Sequence, residues 1–285
     1  MKTTYRHVLL PFVLFAVFLM AYGQTTSDSK KIKAQDILRK AKEISCKTIK
    51  PEDIKSFSVN YGKSKTSLVD FGKGEQEWIT SENSKFNWSM PDKFNVETDS
   101  EGSIGGNFTN SEQTKVIING NEVYKNTELF DKEGQKITYF DANSLNDSKE
   151  RKSGVLSDAF DIFFPITLDS TFYVSLDFTY TGKAELENKK MDVIEAISKG
   201  GTTYRLFFDE KTHLLSLMTK SWKNANGKQF DQKNFYSNYK EVSGLLVAHK
   251  IITQSTSKAN GNTEIIIKNL RVNADFKSDT FKVKK

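Results

Sequence analysis

Cysteine is nearly absent from this chain: Cys46 is the one thiol among 285 residues. No internal disulfide can form, so a stapled mini-domain framework is excluded, and Cys46 reads as a small buried side chain on a helix. Histidine is almost as scarce, with three in all, too few beside one cysteine for a closed zinc site. Charge of one sign is also missing. The net charge of +6 is spread thinly over 42 basic and 36 acidic side chains, which is not a nucleic-acid footprint. Long apolar runs are lacking too. The longest, Val8 to Met20, falls short of the ~20 residues that span a bilayer.

That run has the grammar of an export signal. Lys2 and Arg6 precede it, and Ala21-Tyr22-Gly23 supplies small residues at the positions a signal peptidase reads. Cleavage after Gly23 is expected, with residues 1–23 as signal peptide, 24–33 as a loose polar leader and 34–285 as one domain. No cysteine follows the small residues, so the expected product carries no lipid anchor there and is exported.

Ala34, Ile37, Leu38, Ala41 and Ile44 recur at helical spacing before Pro51, which predicts one amphipathic helix. From Ser56 the period becomes two. Phe57, Val59 and Tyr61 alternate with polar residues, as do Phe86, Trp88 and Met90, and Phe172, Val174, Leu176, Phe178 and Tyr180. Period two places each set on one face of a strand. Further strands are expected at Thr203–Asp209, Leu214–Trp222, Phe230–Tyr239, Leu245–Gln254 and Thr263–Val272. Turn signals at Asn119-Gly120, Glu133-Gly134, Asn226-Gly227, Ser243-Gly244 and Asn260-Gly261 leave room for hairpins, not for helical crossovers. A second helical piece is expected over Ser157 to Phe164, capped by Ser157, with Phe160, Phe163 and Phe164 inward and Pro165 ending it.

Motifs for chemistry are largely missing. No Gly-x-Ser-x-Gly occurs, and Gly62-Lys63-Ser64 has Phe57 where a phosphate loop needs its first glycine. Glu101 to Gly106 is glycine-rich but lacks the dinucleotide pattern and reads as a flexible loop. His213 reads as a turn residue, and His249 as packing or surface. The carboxylate pairs Asp158/Asp161 and Asp209/Glu210 would serve a hydrolase only if they converged across a cleft. Their expected place is a helix start and a solvated loop.

Apolar doublets recur at Ile117-Ile118, Phe163-Phe164, Phe207-Phe208, Leu214-Leu215, Leu245-Leu246 and Ile251-Ile252. Neighbours on a strand point to opposite faces, so a doublet makes both faces locally apolar. Two readings stay open: a strongly curved sheet whose concave side is plugged by helices, or a concave side that holds an apolar ligand.

One order of motifs stands out. Ser56-Phe57-Ser58-Val59-Asn60-Tyr61 follows the helix. Then come Gly74-Glu75-Gln76-Glu77-Trp78, Lys85-Phe86-Asn87-Trp88-Ser89-Met90-Pro91, and Ile117-Ile118-Asn119-Gly120-Asn121-Glu122-Val123-Tyr124. The second half adds Tyr204-Arg205-Leu206-Phe207-Phe208-Asp209 and Tyr239-Lys240-Glu241-Val242-Ser243-Gly244-Leu245-Leu246. Between about Ala34 and Ile252 the chain resembles the LolA/LolB family of periplasmic lipoprotein carriers. The resemblance implies a mainly β fold with a few helices, a half-open antiparallel barrel of roughly eleven strands under a helical lid. It implies a cavity that shelters acyl chains. It departs from the family at Thr80-Ser81-Glu82-Asn83-Ser84, where a lid-latching arginine is missing. Lys85, the nearest cation, lacks the guanidinium fork.

The function expected from this is a non-catalytic periplasmic protein that binds acyl chains of a lipid or lipoprotein. It needs no cofactor, metal or nucleic acid, is monomeric, and has a membrane-associated donor or acceptor protein as a further partner. A sixteen-carbon chain costs on the order of 12 kcal/mol to expose at ~0.8 kcal/mol per methylene, and a carrier must offset most of that. Phe57, Val59, Phe86, Trp88, Phe172, Val174, Leu176 and Phe178 are the expected cavity-facing residues, with Phe160 and Phe163 from the lid. Taken singly, each is better read as plain core packing. The competing expectations are an RseB-like envelope sensor or protein-interaction module on the same fold, and a β-rich hydrolase using Asp158 and Asp161.

Overall fold

The computed structural model describes residues 9–137, 162–164 and 176–283, apart from residues 71, 73, 199, 225 and 257–260. Among the described residues thirteen strands form one antiparallel sheet, against the roughly eleven that the resemblance implies. They are β1 (Ser56–Asp70), β2 (Glu75–Ser89), β3 (Lys93–Ile104), β4 (Asn107–Asn119), β5 (Glu122–Phe130), β6 (Lys136–Ile137), β7 (Asp177–Leu186), β8 (Lys189–Ile197), β9 (Thr203–Asp209), β10 (Leu215–Lys223), β11 (Gln229–Val242), β12 (Leu245–Ser255) and β13 (Asn262–Val272). Their spatial order is β6-β5-β4-β3-β2-β1-β13-β12-β11-β10-β9-β8-β7. Two meanders therefore run outward from a central seam, where β1 pairs with β13 (Val59 opposite Leu270). β6 and β7 are the two edges, and among the described residues they do not pair with each other.

The sheet is strongly curled. Phe163 stacks on Phe57 of β1, while its neighbour Phe164 meets Phe208 of β9 at 6.4 Å between ring centroids. β1 and β9 are five strand spacings apart in the order, which is about 24 Å on a flat sheet. Two adjacent residues reach both strands only because the sheet bends around them. This is the half-open shape expected from the sequence.

The helix α1 runs Leu9–Ser45. Residues 24–33, expected as a loose leader, are helical. Once the turn at Ala34–Ala41 is held by packing, extending it through a stretch without proline costs little. Ala34, Ile37, Leu38 and Ala41 are buried as expected, but Ile44 is 37% exposed and Ser45 is buried in its place. At about 100° per residue, position 45 returns to within about 20° of Ala34 and position 44 does not. Lys31 pairs with Asp177 at 3.0 Å, and Lys33 lies 3.8 Å over the Tyr180 ring, tying α1 to edge strand β7. Its end reaches β12, where Cys46 bridges to Leu245. Cys46 is thus half-buried just past the helix and not on it. Among the described residues no helix is long and apolar enough to cross a membrane.

One other expectation changes: Glu101 to Ile104 is strand, with the turn confined to Gly105-Gly106. Trp78 and the Phe86-x-Trp88 motif lie on one continuous strand, β2, with Thr80 to Ser84 at its middle. The doublets also find an account. Phe208 and Ile251 face the interior, while Phe207 and Ile252 join Val193, Leu217 and Phe235 in a cross-strand row on the outer face.

Candidate functional site

The concave face carries an apolar band set by register. Phe57 lies opposite Trp88, Trp88 opposite Phe94, Phe94 opposite Ile118 and Ile118 opposite Val123. One step along, Val59, Phe86, Val96 and Val116 form the next row. Trp88 and Phe94 stack at 5.4 Å, and the Trp88 indole N–H donates to the Pro91 carbonyl at 3.4 Å. On the other side of the seam, Ile194, Leu206 and Met218 continue the same interior.

Over this band sits a helical turn at Ile162 and Phe163, followed by Phe164. Phe163 stacks on Phe57 with centroids 4.1 Å apart and lies 6.1 Å from Trp88. All three residues of the turn are buried. The interior at this point is filled by side chains. The open apolar hollow that the sequence suggests is occupied here by the Phe163 ring.

Of the ten expected cavity residues, the fold brings Phe57, Val59, Phe86, Trp88 and Phe163 into one cluster. Leu176 and Phe178 are half-buried against its edge. Phe160, Phe172 and Val174 lie outside the described residues, as do Ser157, Asp158, Asp161 and Pro165. Phe94, Val116 and Leu270 belong to the cluster and were not anticipated, although the alternation Phe94-Asn95-Val96 was there to find Phe94.

Several polar groups in or near this face have assigned partners. The Tyr239 hydroxyl donates to the Leu215 carbonyl at 2.7 Å, and burial pushes its ionisation up. His249 is buried, with Nδ1 2.9 Å from the Val247 carbonyl, a packing role. His213 is a turn residue, at φ +56°. Asp209 and Glu210 are each engaged by separate local partners. Asp209 accepts the backbone N–H groups of Lys211 and Thr212, both at 2.9 Å. Burial acts to raise its carboxyl, yet those amides outweigh it and hold the group below the ordinary aspartate value. Glu210 pairs with Lys183. Cys46 is no activated nucleophile, because desolvation raises its thiol. Among the described residues, no cluster of His, Cys, Asp or Glu is arranged to hold a metal ion.

No family model matches the chain, and no curated protein matches it. Solved structures do. The chain is similar to LolA-superfamily proteins. A LolA superfamily protein from Nitrosomonas europaea is 14% identical, with 88% of this chain and 97% of that one covered at a TM-score of 0.42. An outer membrane lipoprotein-sorting protein domain from Vibrio parahaemolyticus is 11% identical, with the same shares covered at 0.43. A DUF1329 family protein from Desulfovibrio piger is 11% identical over 87% of this chain, at 0.41. Likeness at this level leaves the functional reading to the residues described above.

Proposed function

We propose that this protein is a non-catalytic, exported binding protein that shelters acyl chains of a lipid or lipoprotein against the aromatic band of its curled sheet. The observation that carries the reading is the seat of Phe163. A ring from a separate turn lies flat on Phe57 and beside Trp88, in the middle of a continuous apolar face. In this reading the turn is a built-in occupant. It keeps the face dry when no ligand is bound and yields its place to a chain. Each methylene that takes over the buried surface contributes about 0.8 kcal/mol, so exchange of an aromatic ring for several methylenes is close to balanced. Such balance suits a protein that must both take up and release its cargo. Phe57, Val59, Phe86 and Trp88 would line the chain, with Leu176 and Phe178 at the rim, and Phe160, Phe172 and Val174 are proposed as further contacts. The polypeptide would reach the periplasm with residues 1–23 removed, and N-terminal sequencing of the secreted form checks this by reading Gln24.

Mature protein prepared without detergent should carry lipid detectable by native mass spectrometry, and should bind a fluorescent fatty acid that long-chain fatty acid displaces. Lipid-free preparations that also leave the probe unbound would end the acyl-chain reading.

A further inference from the structure

The concave face changes character along its length. Two residues beyond Phe86 and Val116 the inward row is Tyr61, Ser84, Thr98, Thr114 and Thr127, joined by Ser84–Thr98 and Thr114–Thr127 hydroxyl contacts of 2.9 and 3.1 Å. Further rows bring Glu82, Ser100 and Glu112 side by side, then Thr80, Gly102 and Asn110, and finally Trp78. These rows line a concavity of about 340 Å³ that is open to solvent, within the size range of small-molecule sites.

Its construction is specific. Gly102 forms the floor. A Cβ there would stand only 2.9 Å from the Thr109 hydroxyl and 3.2 Å from the Asn110 side-chain oxygen, and in ordinary contact, at 3.5 Å, with the Trp78 indole nitrogen, so glycine is what lets Thr109 and Asn110 approach the strand. Glu82 faces Lys63 at 3.6 Å, which offsets its charge. Glu112 accepts the Thr114 hydroxyl at 2.6 Å, and the Thr109 hydroxyl, which donates to the Gly102 carbonyl at 2.8 Å, lies 3.1 Å from the Asn110 amide, so Asn110 presents its amide at the edge of the concavity. The walls therefore offer carboxylate acceptors, an amide donor and hydroxyls that do either, beside one indole.

We infer that this concavity is a saccharide-binding site, with the Trp78 ring as the platform for a sugar and Glu82, Asn110 and Glu112 as hydrogen-bonding partners of its hydroxyls. An indole face is electronegative at its centre and attracts the C–H edges of a sugar ring. Carboxylates and amides at the rim suit a ligand with many hydroxyls, each a donor and an acceptor. An acyl chain would leave these groups unpaired, and a phosphate would meet two carboxylates. The site does not depend on the acyl-chain reading. It occupies a different stretch of the face and involves none of the same residues.

The test uses the full mature protein. Saturation-transfer NMR against maltose, mannose, galactose and N-acetylglucosamine should give transfer to the ring C–H groups of at least one sugar. Trp78→Ala should abolish it while the thermal melt stays cooperative, and Trp78→Phe should restore it in part. Glu112→Gln, a substitution that leaves the platform in place, should weaken binding about tenfold. Fatty-acid probe binding should be the same in all three variants, so a failure here is distinguishable from a failure of the acyl-chain reading. The inference is overturned if the folded wild type shows no transfer from any of the four sugars, if binding survives Trp78→Ala unchanged, or if choline chloride occupies the site in their place. That last result would make it a cage for an ammonium group.

Discussion

Phe163 stacks on Phe57 with ring centroids 4.1 Å apart and planes 24° apart, although more than a hundred residues separate them in the chain. The pair joins the covering turn to β1, one of the two strands at which the meanders meet. Ring stacking of this kind adds roughly 0.5–1.5 kcal/mol beyond the area it buries.

Replacement of this ring separates a plug from an ordinary core residue. Phe163→Ala should lower the stability of the empty protein by about 3 kcal/mol, the low end for a buried phenylalanine, because the turn is a single layer that can resettle. The same change opens the space beside Trp88, so the affinity for a fluorescent fatty acid should rise. Trp88→Ala removes the other wall. It should cost at least as much stability and weaken the probe. Equilibrium urea unfolding and probe titration on both variants decide the matter, and a fall in affinity for Phe163→Ala would mean that Phe163 only packs.

Where apolar and β-branched residues ran between turn signals, the fold could be read from the chain. Thr203–Asp209 forms β9 over that same span, and Leu245 to Gln254 lies within β12, although doublets in both interrupt strict alternation. Asn226-Gly227 and Ser243-Gly244 supply the turns between β10, β11 and β12. β3 and β4 were hidden for the opposite reason. Over Thr98 to Gly102 and Asn110 to Thr114 both faces are polar, so nothing alternates. The concavity at Trp78 was hidden with them, because its floor and two of its walls come from those strands. Phe57, Phe86 and Trp88 were legible as one face and Phe163 as an inward residue of the covering turn, but not which ring it meets, since contact between Phe163 and Phe57 depends on the curl of the whole sheet.

The turn between β9 and β10 should give the protein part of its acid sensitivity. Asp209 holds the amides of Lys211 and Thr212, and its carboxyl is depressed in the folded state. A depressed carboxyl contributes stability that is complete above its unfolded value of about 3.9 and drains away as pH falls through the folded value. Asp209→Asn keeps an acceptor oxygen but does not titrate. Relative to wild type, it should therefore lose less melting temperature between pH 7 and pH 3, with a cost near 1 kcal/mol at pH 7. An equal acid-induced drop in both proteins would show that Asp209 plays no part.

Asn273 fastens the C-terminal segment to the start of β1. Its side-chain oxygen accepts the Lys55 N–H at 2.7 Å, its amide donates to the Asp53 carbonyl at 2.9 Å, and its backbone N–H donates to the Ser56 carbonyl at 2.8 Å. The residue adopts φ +51°, which asparagine tolerates better than most side chains. Beyond it, the Asn95 side chain donates to the Thr280 carbonyl at 2.7 Å, so the segment crosses the outer face of β3. Asn273→Ala removes two hydrogen bonds and adds backbone strain, for a cost of roughly 2 kcal/mol. Hydrogen exchange should quicken over 274–283 and near Lys55, with the interior of the sheet unaffected. Uniform protection across those residues would rule out a clamp at Asn273.

The seam between the meanders depends on a glycine that carries no apolar role. Gly261 sits at φ +62° before β13, and a Cβ there would lie 2.1 Å from the Thr66 carbonyl oxygen and 2.9 Å from the Ser67 Cα. Both obstacles are backbone, so no side-chain rotation relieves them. Thr66 pairs with Asn262 at the far end of the β1–β13 ladder. A methyl group at 261 must therefore push the two strands apart where the halves of the sheet join. Gly261→Ala should cost several kcal/mol, more than the ~1 kcal/mol that a left-handed backbone alone imposes on alanine. Gly134 shares the left-handed conformation, at φ +76°, but has nothing within 4 Å of a built Cβ, and its replacement by alanine should cost only that smaller amount. Urea midpoints for the two variants test the difference. Equal losses would show that close approach of the β1 backbone is not what requires glycine at 261.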